Sequence, residues 1–263
     1  MSNMPCFMGL SLREVSVSGG FLNRRSQVRS LPGAPHSEPT VVRVGFMTSV
    51  GLVLYPRFTA LDIVGPFQTL VDVPGLDVSF VAAAVGPVTD HTGRLSLHAT
   101  KRFDDIDHLD VVVVPGGFGD ANLTNDDPVV RFVERIHPST TWTTSVCTGA
   151  LFLAQAGILA GLPATTHWAS YGRLEALGAR PESTRVVRSG KIITAAGVSA
   201  GIDMGLTLVA ELVGPDMARA VQLAIEYDPQ PPFDCGSPNK ATPELFGLVQ
   251  DMFAPRRAGS VVD

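Results

Sequence analysis

Cysteine is scarce in this chain: Cys6, Cys147 and Cys235 are the only three in 263 residues. Three scattered thiols build no disulfide framework, which excludes a small stapled secreted domain and points to a reducing, cytoplasmic setting. Charge is sparse as well, at 17% of residues, and the basic residues are outnumbered 20 to 25. A nucleic-acid reader carries a basic excess or stripe, so no nucleic-acid partner is expected. No uninterrupted apolar run approaches the roughly 18 residues that a membrane helix needs, so no membrane partner is expected either. His91, His98, His108 and His137 lack metal-ligand spacing, and no G-x-G-x-x-G fingerprint is present. Neither a metal site nor a dinucleotide-binding turn is therefore indicated. What the chain does have is apolar residues, 45% of the total, sufficient for a substantial core.

The first forty residues differ from the rest. Arg13, Arg24, Arg25 and Arg29 stand among Ser, Gly and Pro against only Glu14 and Glu38, with no apolar periodicity. An Arg- and Ser-rich, acid-poor leader resembles a transit peptide, and Arg24-Arg25 a twin-arginine signal without the apolar stretch that should follow it. The reading adopted is a disordered extension over residues 1–47, or an upstream start with Met47 as the natural beginning. Setting it aside leaves a more acidic body, expected to be one domain over 48–253, with 254–263 as a flexible tail.

From Ser49 onward the pattern is regular. Strands are predicted at Ser49–Tyr55, Leu76–Val85, Arg94–Ala99, Val111–Val114 and Thr140–Val146, from their apolar or alternating character. Helices are predicted at Thr59–Val71 (Thr59 as N-cap), Asp127–Ile136 (Pro128 in its first turn), Thr148–Ala156, Ala200–Val213 and Asp216–Glu226. Arg185–Arg188 and Lys191–Thr194 read as a hairpin around Ser189-Gly190. Apolar strands alternating with helices imply a single α/β domain, a doubly wound, mainly parallel sheet covered on both faces. Ligands in such folds sit outside the carboxyl ends of the strands.

Two segments carry chemistry. In Ser145-Val146-Cys147-Thr148-Gly149-Ala150 a strand ends and a helix begins with no loop between. That is a nucleophile-elbow pattern with Cys in place of Ser. A helix N-terminus there is expected to lower the thiol pKa. The plain alternative is a buried Cys acting as a small hydrophobe. In Val114-Pro115-Gly116-Gly117 the glycines allow a close backbone approach, either as a simple turn or as an oxyanion site formed by the Gly117 and Thr148 N–H groups. His167, in Ala164-Thr165-Thr166-His167-Trp168, stands between orienting a thiolate and serving as a core histidine. Asp62 interrupts an apolar run and is open to being a cap, a solvated charge or a carboxyl with a raised pKa facing the thiol.

Together with Leu61-Asp62-Ile63-Val64-Gly65-Pro66, Ala196-Gly197-Val198-Ser199-Ala200-Gly201-Ile202-Asp203 and Tyr227-Asp228-Pro229, these segments resemble the ThiJ/PfpI family. The resemblance runs from Ser49 to about Met252. It implies a flavodoxin-like, class I glutamine amidotransferase-like fold, with Cys147 as nucleophile and Asp62 as the facing acid. Within the family the Asp62 and Cys147-Thr148 pairing is most similar to isonitrile hydratases. Peptidase-like members place His directly after the Cys, where this chain has Thr148.

The resemblance implies a cofactor-free enzyme acting on a small electrophile, and most concretely an isonitrile hydrated to an N-substituted formamide. Cys147, Asp62 and Thr148 would be catalytic; Gly116, Gly117 and His167 would bind the oxyanion or substrate. Thr148 is expected to hold Asp62 or water through its N–H and hydroxyl. A homodimer is implied by resemblance alone. Glyoxalase or deglycase chemistry on reactive carbonyls is the rival enzyme reading. A non-enzymatic thiol stress sensor, or a domain like those of AraC-type regulators, is the other. Some 37 residues follow Glu226, with Pro229, Pro231 and Pro232 among them, which is expected to leave no room for a pair of helix-turn-helix units. Cys235, in a loop, is expected to have no role.

Overall fold

A computed structural model of the chain describes residues 47–257. The expected extension over 1–47 and the end of the expected tail lie outside the described residues, apart from Met47. The first strand, β1 (Thr48–Val53), is buried from Val50 on, as a central strand between two helical layers must be. It leads into α1 (Ala60–Leu70). Thr59 occupies the N-cap position, but its side chain makes no capping bond. β2 (Leu76–Ala82) pairs parallel to β1. A small antiparallel ribbon follows, β3 (Gly86–Thr89) with β4 (Ser96–Ala99). The two-residue β5 (Lys101–Arg102) adds to the edge of β2.

The all-valine β6 (Val111–Val114) is wholly buried. α2 (Pro128–Ile136) starts where predicted, with Asp127 accepting the Val129 N–H at 2.8 Å and proline in the first turn. β7 (Trp142–Val146) runs straight to α3 (Gly149–Gln155). Next come β8 (Pro163–Ala164), α4 (Tyr171–Ala176) and β9 (Arg180–Pro181). The predicted hairpin is β10 (Val186–Ser189) with β11 (Ile192–Ala195). α5 (Ala200–Val213), α6 (Pro215–Ala224) and α7 (Pro243–Arg257) complete the described chain. α7 continues past Phe253, where a flexible tail was expected to begin.

The main sheet has the order β10-β11-β7-β6-β1-β2-β5, parallel except for the β10–β11 pair. The α/β doubly wound, mainly parallel architecture is thus as expected. The chain winds outward from β1 to β2 in one direction and from β6 through β7 to β11 in the other. That reversal between β1 and β6 opens a crevice at the carboxyl ends of the strands. α1 and α5 pack together, as do α2 and α3. The α1–α5 approach depends on Gly205, where a Cβ would stand 2.0 Å from Thr69 Oγ1.

Candidate active site

Three strand ends deliver the site. α1 follows β1 and carries Asp62; Gly116 and Gly117 follow β6; Cys147 follows β7. At the last of these the backbone turns so sharply that Cys147 adopts φ 57°, a left-handed conformation that costs a side-chain-bearing residue about 1–2 kcal/mol. Neighbouring groups hold it there. The Cys147 N–H is shared between the Ala195 and Ala196 carbonyls at 3.0 and 2.9 Å, and its own carbonyl accepts the Thr166 hydroxyl at 2.8 Å. A strained elbow fixed from both sides presents the sulfur in one direction.

Asp62 is fully buried, so the cap and solvated-charge readings do not apply. One carboxyl oxygen accepts the Gly116 N–H at 2.8 Å, the Cys147 side chain lies beside the carboxyl, and the other oxygen, Oδ1, is buried with no hydrogen-bond partner. Burial pushes the carboxyl pKa from 3.8 up to about 7, although the Gly116 N–H and the neighbouring Cys147 side chain pull it down. Gly116 is required at this point. A Cβ there would lie 2.4 Å from the Thr148 nitrogen and 2.9 Å from the Asp62 Oδ2.

Two expectations need correction. The first concerns the thiol, which was expected to have a lowered pKa. Burial, with the Asp62 carboxylate adding to it, pushes Cys147 well above the ordinary thiol range; N–H groups of Val198 and Thr148 directed at the sulfur pull the other way without prevailing. A helix N-terminus stabilises a thiolate, but here a second negative charge lies beside it in a site only 6% exposed. The second concerns the oxyanion site. The Gly117 N–H is taken by the Thr148 hydroxyl at 3.0 Å, the Gly116 N–H by Asp62, and the Thr148 N–H is directed at Cys147. These donors build the site and hold its acid and its nucleophile. The Thr148 hydroxyl accordingly binds Gly117 and not Asp62. His91, which lacks metal-ligand spacing, lies in a turn against Phe118, 5.0 Å between ring centroids, and lines the cavity.

That cavity, about 560 Å³, includes Cys147, Thr148, Gly117 and His167 in its lining, but not Gly116. Its volume is within the range of small-molecule sites. His167 is half-buried, its Nδ1 accepting the Ala169 N–H at 3.3 Å. Val198, with φ 26°, contributes both lining and the N–H on the sulfur. Phe253 of α7 closes one side against Phe118, 5.8 Å between centroids. Among the described residues no group of acids, histidines and cysteines is arranged to hold a metal, and no helix is long and apolar enough to cross a membrane. Cys235 is exposed and takes no part in the cavity lining.

The segment from 48 to 211 matches the model of the DJ-1/PfpI family. Isonitrile hydratase of Pseudomonas putida is 44% identical over 206 residues, spanning 78% of this chain and 90% of that protein. The HTH-type transcriptional regulator CdhR of Pseudomonas aeruginosa is 29% identical over 149 residues, 54% of this chain but 42% of its own length. Among solved structures, a ThiJ/PfpI family protein from Pseudomonas syringae superposes with a TM-score of 0.75 at 34% identity, covering 88% of this chain and 96% of that one.

Proposed function

The chain belongs to the DJ-1/PfpI family, and from that premise we propose that it is a cofactor-independent hydratase of isonitriles with Cys147 as nucleophile and Asp62 as its acid–base partner. The observation that carries the reading is the buried pair itself: a thiol beside a carboxyl whose pKa is raised to about 7. Similarity to the isonitrile hydratase of Pseudomonas putida over most of both chains supports it.

The two raised pKa values put the neutral-pH proton on sulfur and leave Asp62 partly ionised. As the sulfur attacks the terminal isonitrile carbon, the Asp62 carboxylate takes the thiol proton and passes it to that carbon. The C–S and C–H bonds form together and the product is a covalent thioimidate. Water then adds to the same carbon, one of its protons passing to Asp62 and the other to the nitrogen. Collapse of the tetrahedral adduct breaks the C–S bond and releases the N-substituted formamide. Asp62 returns its proton to the departing sulfur, which restores the starting state. One carboxyl serves both halves because its pKa is close to the working pH.

A thiol stress sensor needs an accessible sulfur of low pKa. Cys147 has neither property, being 6% exposed with its pKa raised. The test is turnover of a simple alkyl isonitrile and of methylglyoxal, followed by NMR, with the wild type, Cys147→Ala and Asp62→Asn. Formamide produced by the wild type alone is expected. Methylglyoxal consumed while the isonitrile persists would transfer the reading to reactive-carbonyl chemistry, and an active Cys147→Ala variant would remove it.

A further inference from the structure

The cavity has a charged wall that the hydration chemistry does not use. Asp120 lies in the short 3-10 turn Phe118–Asn122 after the Gly116-Gly117 turn, and Arg173 lies on α4; both line the same cavity as Cys147. The Arg173 Nη1 donates to Asp120 Oδ1 at 3.2 Å and its Nη2 to the Asp120 carbonyl at 2.8 Å. Two bonds from one planar fork fix the guanidinium in a single orientation. The partners are unequally placed: the Asp120 side chain is 7% exposed and that of Arg173 46%. The other carboxyl oxygen of Asp120 is buried with no hydrogen-bond partner.

We propose that Arg173, oriented by Asp120, selects the substrate by binding an anionic group, a carboxylate, carried at the opposite end of the molecule from the reacting carbon. The exposures decide the sign of the ligand. An incoming cation would compete with a guanidinium already in place, for a carboxylate that the cavity hardly exposes. An incoming carboxylate meets the exposed partner, whose two bonds to Asp120 leave the rest of its five-donor fork for a ligand. The cavity volume of about 560 Å³ leaves room for a chain between the two ends. Phe118, Val198 and Phe253 in its lining suit an apolar spacer. The substrate class is therefore an isonitrile bearing a carboxylate on an apolar chain.

The reacting end rests on the hydratase reading; the anion-binding end does not, and the experiment separates them. Turnover of an ω-isocyano carboxylate is compared with that of its methyl ester, in the wild type and in Arg173→Gln. The wild type is expected to favour the carboxylate in kcat/KM by about tenfold to a hundredfold, the weight of one charge-assisted hydrogen-bonded pair. In Arg173→Gln the ratio should collapse towards one, through KM. Because that variant leaves Asp120 without its cation, the double variant Asp120→Asn/Arg173→Gln is measured beside it and should also show no preference. In parallel, calorimetry with Cys147→Ala measures binding of the corresponding ω-formamido carboxylate and its ester. If neither isonitrile is turned over but the carboxylate still binds preferentially and through Arg173, the hydratase reading fails and the inference stands. Equal binding of carboxylate and ester, or a preference that survives Arg173→Gln, overturns the inference.

Discussion

Replacing Asp62 by Asn should destroy activity and raise stability together, and the size of the gain follows from the burial of this one carboxyl. Its pKa moves from 3.8 to about 7 on folding. At about 1.4 kcal/mol per pH unit, ionising it inside the protein costs about 4 kcal/mol. The folded chain keeps this proton where the unfolded chain has released it, so between pH 3.8 and about 7 stability falls as pH rises. Above that window the loss is complete. An Asn side chain never ionises, and its oxygen still meets the Gly116 N–H. Its amide nitrogen, however, falls where the second carboxyl oxygen has no partner, which costs about 1–3 kcal/mol. Asp62→Asn should therefore exceed the wild type by about 1–3 kcal/mol at pH 8.5, with the advantage vanishing by pH 4.5. Urea titrations at several pH values measure the difference directly. A gap of constant size across pH, or a variant less stable at pH 8.5, would refute the burial argument.

Further consequences follow at neighbouring residues. Gly116→Ala places a Cβ against the Thr148 nitrogen and Asp62; turnover should fall about a hundredfold, as displacement of reacting groups by an ångström does, checked by steady-state kinetics. Thr166→Val leaves the buried Cys147 carbonyl without its 2.8 Å donor and should cost about 1–3 kcal/mol, measured as a fall in Tm. Under mild peroxide, peptide mass spectrometry should find exposed Cys235 oxidised well before buried Cys147; the reverse order would revive a sensing role.

Much of the scaffold is legible in the sequence because its elements are long and locally patterned. The valine run of β6, the Pro128 start of α2 and the strand-to-helix junction at Cys147 each carry their own signal. The meeting of Asp62 with Cys147 came from resemblance, since no local pattern joins residues so far apart. The strands β5, β8 and β9 are two residues long, too short for any periodicity. α7 was missed because Gly247 and Pro255 interrupt its pattern and its contacts with the cavity come from distant parts of the chain. The pKa of Cys147 was misjudged for a related reason. The helix terminus is visible in the sequence, but the depth of burial and the charge facing it are tertiary facts. Thr166, Val198 and Arg173 gave no signal of their own; the first two lie in segments quoted for the resemblance, without a role.

The central claim is a covalent bond between Cys147 and the isonitrile carbon. Intact-protein mass spectrometry after acid quench of a reacting mixture tests it. The account predicts an adduct of the isonitrile's mass in the wild type, mapped to the peptide containing Cys147 and absent from Cys147→Ala. Formamide production at the wild-type rate by Cys147→Ala, with no adduct on either protein, would contradict it.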